Sequence, residues 1–127
     1  MDNNEKIGIE ERSFKFALEI VNLYKELKNL NEFVISKQLL RAGTSIGANV
    51  SEAQAAQTKK DFITKMTIAS KEARETRYWL QLLQQSKLVG INFNNYLIEI
   101  KNIINILTKI VKTSVHNLNV EIKSLKT

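Results

Sequence analysis

The sequence predicts an all-α protein, an antiparallel up-down-up-down bundle of four helices in a single domain. Proline is absent from the 127 residues and glycine occurs only four times, so little interrupts a helix. Apolar residues recur every three or four positions in four successive segments. The stretches between these segments are short, which makes consecutive helices antiparallel. One domain over residues 1–127 is therefore expected, with helices near 9–28, 32–56, 59–87 and 92–118.

Helix one carries two rows of apolar side chains at helical spacing. The first row consists of Phe14, Ala17, Leu18, Val21 and Tyr24, and the second of Phe16, Ile20, Leu23 and Leu27. Together they cover more than half of the helix circumference, whereas a helix buried on one side needs only a narrower stripe. We expect this helix to contact two neighbours, one of them in another copy of the chain.

The remaining helices have local signals for their boundaries and buried faces. The second helix repeats Ile35, Leu39, Ala42, Ile46, Val50 and Ala53 toward the core. Thr58 is suited to cap the start of the third helix, with Asp61 favourably placed in its first turn. Gly90 is the expected left-handed cap after the third helix. The fourth helix should continue for about seven turns, roughly 40 Å, from Asn92 to Leu118.

A polar line runs along the second helix beside its apolar stripe. Its members are Arg41, Ser45, Asn49 and Glu52. The opposite side of the helix carries small residues, so another helix can approach it closely. These residues are Gly43, Thr44, Gly47, Ala48 and Ser51. On the third helix Glu72 and Glu75 are flanked by apolar residues, and a carboxylate removed from water needs a cation. We predict a buried network between Arg41 and Glu72 or Glu75, extended by Ser45 and Asn49.

Two segments, RAGTSIGANVSEA from Arg41 and DFITKMTIASKEARETRYWLQLL from Asp61, carry a resemblance to a known family. They resemble the four-helix-bundle proteins encoded within intervening sequences of bacterial 23S ribosomal RNA genes, over roughly residues 10–115. The matching positions are Arg41, Ser45, Ile46, Asn49, Glu52, Phe62, Glu72, Glu75, Thr76, Trp79 and Leu80. Ala53 departs from the glycine that the family commonly has there. The resemblance implies a cytoplasmic bacterial protein that assembles as a homopentameric ring and associates with RNA or other nucleic acid.

More distantly, the chain is similar to the accessory bundle of diversity-generating retroelements. That similarity implies a basic pentamer that engages a reverse transcriptase and nucleic acid. A protein-interaction scaffold is therefore the alternative to a nucleic-acid-binding function.

The net charge of +6 is concentrated in the second half of the chain. Residues 1–32 hold five basic and seven acidic side chains, whereas residues 59–88 hold seven basic and three acidic ones. The candidate nucleic-acid contacts, on the side of helix three opposite its core stripe, are Lys59, Lys60, Lys71, Arg74 and Arg77. An ordinary solvated surface is the other interpretation, because no recognised binding motif accompanies them. Tyr78 and Trp79 either stack on bases or, as we favour, anchor packing.

Catalysis, metal binding and membrane insertion find little support. The chain has no cysteine, and the single His116 cannot build a histidine-based metal site. Glu72 and Glu75 could form an acid–base pair, as in a hydrolase or nuclease, but no nucleophile, phosphate loop or metal cluster accompanies them. No apolar run approaches the roughly 18 residues of a membrane span, and residues 1–13 lack the pattern of a secretory signal. We therefore expect a cytoplasmic, non-enzymatic oligomeric binding protein without cofactors.

Overall fold

Four α-helices make up the fold in the computed structural model, which describes residues 7–126. Residues 1–6 and 127 of the expected domain lie outside the described residues, as does much of the N-terminal segment considered for a signal. The helices are α1 (Ile9–Asn29), α2 (Ile35–Gln54), α3 (Lys59–Ser86) and α4 (Asn94–Leu125). Each helix packs against the next, and α4 returns to α1 with a smaller contact. The described part of the chain contains no strand and no helix long and apolar enough to cross a membrane.

The two apolar rows of α1 have different environments. Phe16, Ile20, Leu23 and Leu27 are buried in the core of the bundle. Phe14 and Leu18 of the other row are 64% and 52% exposed, so the bundle of a single chain leaves these two side chains uncovered. Ala17, Val21 and Tyr24 of the same row are partly buried.

The α1–α2 interface accounts for the two glycines of α2. A Cβ atom at Gly43 would lie 2.9 Å from Cγ2 of Ile20, and one at Gly47 would lie 3.3 Å from the backbone oxygen of Ser13. The small face of α2 therefore admits a helix closely, as predicted, but at these two positions that helix is α1 of the same chain. Ala48 and Ser51 stay exposed.

The turn between α1 and α2 is closed by backbone and side-chain hydrogen bonds. Asn31 adopts a left-handed conformation with φ of 64°, and the amide of Glu32 donates to the carbonyl of Leu27 at 2.9 Å. The Glu32 carboxylate then accepts the amides of Val34, Ile35 and Ser36 at 3.2, 3.0 and 2.6 Å. The second helix therefore begins at Ile35, three residues later than predicted, because Glu32 lies before the helix and its side chain binds the first amides.

Thr58 caps α3 as predicted, accepting the amide of Asp61 at 3.0 Å. The helix ends at Ser86, where Lys87 adopts the left-handed conformation with φ of 55°. Gly90 has no positive φ, so its predicted role as the left-handed cap is wrong. The physical reason is that the chain turns three residues earlier, where the Ser86 hydroxyl accepts the amide of Leu88 at 3.3 Å.

The fourth helix continues to Leu125, about two turns beyond the predicted end. Its buried residues stop at Leu107, and Val115, at 39% exposure, lies largely outside the core. Across the α1–α4 seam Arg12 donates from Nε and Nη2 to the two oxygens of Glu99, both at 2.8 Å. This two-point ion pair joins the first and last helices.

Candidate nucleic-acid interface

The groove between α3 and α4 is fixed by polar contacts along its length. Lys59 pairs with Glu121 at one end, and Nη2 of Arg74 donates to the Thr108 hydroxyl at 3.3 Å near the middle. At the other end Nε2 of Gln84 donates to Oδ1 of Asn94 at 2.8 Å. The two helices are therefore antiparallel, and side chains from both form the walls of one groove. We call it the α3–α4 groove.

Toward the N-terminus of α3 the groove contains a hollow of about 270 Å³ with a basic and hydroxyl-bearing lining. Its lining residues are Thr67, Ser70, Lys71, Arg74, Thr108, Val111 and Lys112. Lys71 and Arg74 stand on the α3 wall and Lys112 on the α4 wall. Cations on both walls with hydroxyl donors between them suit a phosphate group. We call this part the basic end.

Toward the C-terminus of α3 the groove opens into a larger hollow of about 500 Å³, within the range of small-molecule sites. It is lined by Arg77, Gln81, Gln84, Gln85, Asn94, Leu97, Ile98 and Lys101. Four side-chain amides line it together with the apolar Leu97 and Ile98, and Arg77 and Lys101 supply one cation from each wall. We call this part the amide end.

No carboxylate lines either hollow of the α3–α4 groove. The carboxylates in the middle of these helices lie on other faces: Glu72 and Glu75 pair with Arg41 of α2, and Glu99 pairs with Arg12 of α1. Negative charge is thus neutralised on the sides that face α1 and α2, while the charged groups that line the two hollows are all cations. This separation generates a positive potential along the groove.

Five lysines and arginines were predicted as contacts, and the structure brings three of them together. Lys71, Arg74 and Arg77 line the groove. Lys59 is paired with Glu121, and Lys60 is exposed but lines neither hollow. The sequence prediction missed Lys101 and Lys112 on α4 and the amides of Gln81, Gln84, Gln85 and Asn94. The spacing of Lys101, Thr108 and Lys112 on one helical face was a signal for them, but it is informative only once the register with α3 is known.

The predicted Arg41 network lies at the α2–α3 surface. Nη1 of Arg41 donates to Glu72 at 3.0 Å and Nη2 donates to Glu75, which also accepts the indole N–H of Trp79 at 3.1 Å. The Arg41 side chain is 50% exposed, so the expectation of a buried network is corrected to a half-exposed one. The indole hydrogen bond lowers the pKa of Glu75; partial burial opposes this, and Arg41 adds to the lowering.

Ser45, Asn49 and Glu52 do not extend this network. The Ser45 hydroxyl donates to the carbonyl of Arg41 at 2.6 Å, and the Asn49 amide donates to the carbonyl of Ser45 at 2.8 Å. Glu52 instead pairs with Lys65 of α3 at 2.7 Å. Both short side chains bond to their own helix backbone, which is the common local alternative for Ser and Asn within a helix.

The two neighbouring aromatics of α3 have different roles in the structure. Trp79 is partly buried against the core and hydrogen-bonded to Glu75, as expected of a packing anchor. Tyr78 touches it edge-on, with ring centroids 5.0 Å apart, yet is 56% exposed. At 100° per residue Tyr78 falls between Lys71 and Gln85 on the arc of α3 that lines the groove. The Tyr78 position therefore lies beside the α3–α4 groove, although its ring contacts Trp79 and lines neither hollow.

Among residues 7–126 no group of three or more His, Asp or Glu side chains is placed to hold a metal ion. The carboxylates considered for acid–base chemistry, Glu72 and Glu75, are both engaged by Arg41. The pKa of Glu75 is lowered, whereas an acid catalyst needs a raised value.

Comparison with known proteins identifies the family. No curated protein matches the sequence. The chain is similar to the crystal structure of a protein of unknown function from the S23 ribosomal protein family of Bacteroides thetaiotaomicron. The TM-score is 0.78 and the identity 46%, over 82% of this chain and 95% of the other. The family model of the 23S rRNA-intervening sequence proteins matches residues 5–109, and the chain belongs to that family.

Proposed function

We propose that this chain is a non-enzymatic nucleic-acid-binding protein that works as an assembly of several copies and binds its ligand in the α3–α4 groove. The observation that supports it is the separation of charge: five cations line the two hollows of the groove, and no carboxylate lines either of them. These cations are Lys71, Arg74, Arg77, Lys101 and Lys112. Release of counterions from a phosphate backbone is the expected driving force.

Self-association is supported by the outer row of α1. Phe14 and Leu18 are large, apolar and exposed, and Phe14 lines a shallow hollow with Gly47 and Ser51 of α2. A second copy that covered this face would bury the two side chains, at roughly 1.5–3 kcal/mol for a fully buried residue of this size. A ring of five is the assembly that the family resemblance implies, and five grooves would multiply the positive field.

The non-enzymatic part of the proposal rests on the engagement of the candidate carboxylates by Arg41. The family name refers to 23S ribosomal RNA. RNA is therefore the first ligand to test, and the cytoplasm is the proposed compartment.

The experiment is a salt series of fluorescence anisotropy with a labelled RNA and the full chain. The affinity should fall as salt rises, with a slope of about 0.7 on logarithmic axes for each single-strand phosphate contacted. Replacing Arg74 and Lys112 together by glutamine should lower the slope by about 1.4. The matched control replaces Lys25 and Lys37, exposed on α1 and α2, and should leave the slope unchanged.

If the salt slope fell equally in the groove variant and in the control, binding would depend only on the net charge of the protein. That result would contradict the α3–α4 groove as the binding site. Absence of any salt-dependent binding would contradict a nucleic-acid function altogether. That second result would favour the protein-interaction scaffold, which predicts little dependence on salt.

A further inference from the structure

The two ends of the α3–α4 groove have different chemistry. The basic end presents Lys71, Arg74 and Lys112 with hydroxyls between them, whereas the amide end presents four carboxamides over Leu97 and Ile98. Carboxamides can also bind phosphate, but a surface that bound phosphate alone would have no need of the apolar Leu97 and Ile98. Carboxamides pair with the hydrogen-bonding edges of bases, and apolar or aromatic groups pack on base faces.

We propose that the groove binds single-stranded nucleic acid, with phosphates at the basic end and unstacked bases at the amide end. This inference rests on the proposed function and names the ligand class of the same site. The bases of a duplex are stacked and paired, so they cannot enter a hollow between two helices whose axes lie roughly 8–10 Å apart. A single strand can turn its bases into the groove while its phosphates follow the cations.

Two exposed side chains are available to a base: Ile98 lines the amide end, and Tyr78 lies on the neighbouring arc of α3. Tyr78 on the α3 side is 56% exposed, and Ile98 on the α4 side is 61% exposed. Stacking of a base on an aromatic ring contributes about 1–3 kcal/mol and tolerates any base. An exposed tyrosine beside cations and amides is the usual composition of a single-strand binding surface.

The free amides are those of Gln81 and Gln85. Gln84 is already used by the fold, since it donates to Asn94 and accepts the amide of Phe93 at 3.1 Å. Gln81 and Gln85 have exposed side chains on the same wall and line the hollow. These two glutamines are therefore the groups that contact base edges. From Lys71 to Gln85 the wall is about 21 Å long at 1.5 Å per residue, enough for a few nucleotides.

The test compares labelled 12-nucleotide single strands of RNA and of DNA with duplexes of the same sequence, using the full chain at one moderate salt concentration. At least one single strand should bind tenfold or more tightly than its duplex. Tyr78→Ala should weaken single-strand binding about tenfold with an unchanged salt slope, because it removes stacking and no charge. The matched control is Phe33→Ala, which removes an exposed aromatic from the α1–α2 turn and should leave affinity unchanged.

A second variant pair examines the bases directly. Gln81→Ala with Gln85→Ala should change the relative affinity for oligo-A and oligo-U while leaving the salt slope unchanged. Duplexes that bind as tightly as single strands, or Tyr78→Ala binding like the unaltered protein, would overturn the inference and leave the nucleic-acid function standing. Loss of all salt-dependent binding would remove the proposed function and this inference together.

Discussion

Arg41 of α2 and Glu75 of α3 share a hydrogen bond whose acceptor oxygen also receives the indole N–H of Trp79. The three groups join two helices at a half-exposed position, so water screens the pair. Charge pairs in such settings contribute little, typically below about 1 kcal/mol, whereas a buried pair would cost several when broken. The position of this pair therefore determines how much its removal should change stability.

For a variant with Arg41→Met we expect the free energy of unfolding to fall by at most about 1 kcal/mol. A double-mutant cycle with Glu75→Gln, followed by urea denaturation, should give a coupling of the same size. Lys37→Met, at an exposed position on the same helix, is the control and should have a smaller effect. A loss of about 3 kcal/mol or more in Arg41→Met would mean that the pair is buried in solution, for example within an assembly.

The Glu32 carboxylate predicts a dependence of stability on pH. Burial tends to raise the pKa of Glu32, but the amides of Ile35, Ser36 and Val34 outweigh it, so the pKa of the folded state is lowered. The stabilisation is therefore present above the unfolded pKa of about 4.3 and lost as pH falls through the folded value. Glu32→Gln should be less stable by about 1 kcal/mol at pH 7.

This difference between Glu32→Gln and the unaltered protein should shrink as the pH falls below about 4, since both then carry a neutral cap. Thermal denaturation followed by circular dichroism between pH 3 and pH 7 measures it. Glu26→Gln, at an exposed position on α1, removes the same charge without a cap and serves as the control. A constant difference across the whole range would rule out ionisation of Glu32 as its source.

Gly43→Ala should destabilise the bundle although alanine is the better helix former. The new Cβ would lie 2.9 and 3.0 Å from two side-chain carbons of Ile20, which is itself fully buried. Overpacking of a core costs about 1–3 kcal/mol, against a gain of up to about 1 kcal/mol in helix propensity. We expect a net loss of about 1–2 kcal/mol in urea denaturation.

The control for this steric effect is Gly90→Ala, because a Cβ atom added at Gly90 would have no other atom within 4 Å and the φ of Gly90 is not positive. Its effect should stay within about 0.5 kcal/mol. An unchanged or increased stability in Gly43→Ala would show that α1 moves away from α2 at little cost.

Leu18→Glu should dissociate the proposed assembly while leaving the bundle folded. Leu18 is exposed in the single chain, so the bundle tolerates a charge there. If another copy covered α1, the new carboxylate would be buried without a cation, which is costly. Light scattering should then give the mass of one chain, with helical circular dichroism retained. Leu88→Glu, on the exposed α3–α4 turn, is the matched control and should keep the assembled mass. An assembled mass that survives Leu18→Glu would exclude this face as the interface.

The periodicity of the sequence was sufficient to predict the four helices, and Thr58 with Asp61 marked the start of the third. Helix periodicity and helix capping depend on residues that are close together along the chain, so they can be predicted from the sequence alone. Which apolar row of α1 is buried could not be predicted, because both rows have helical spacing and only the positions of α2 and α4 decide between them. The left-handed cap after the third helix was assigned to Gly90, but Lys87 adopts that conformation, where the chain turns from α3 toward α4.

The family and the cations of α3 were evident in the sequence, but the groove was not. Lys101 and Lys112 lie far along the chain from Lys71 and Arg74, and only the antiparallel register of α3 and α4 brings them to opposite walls of one groove. The same register neutralises Lys59 with Glu121. By itself the sequence determined helices, a family and an excess of positive charge. Tertiary packing decided where that charge remains unpaired, because pairing depends on distances between side chains that separate helices bring together.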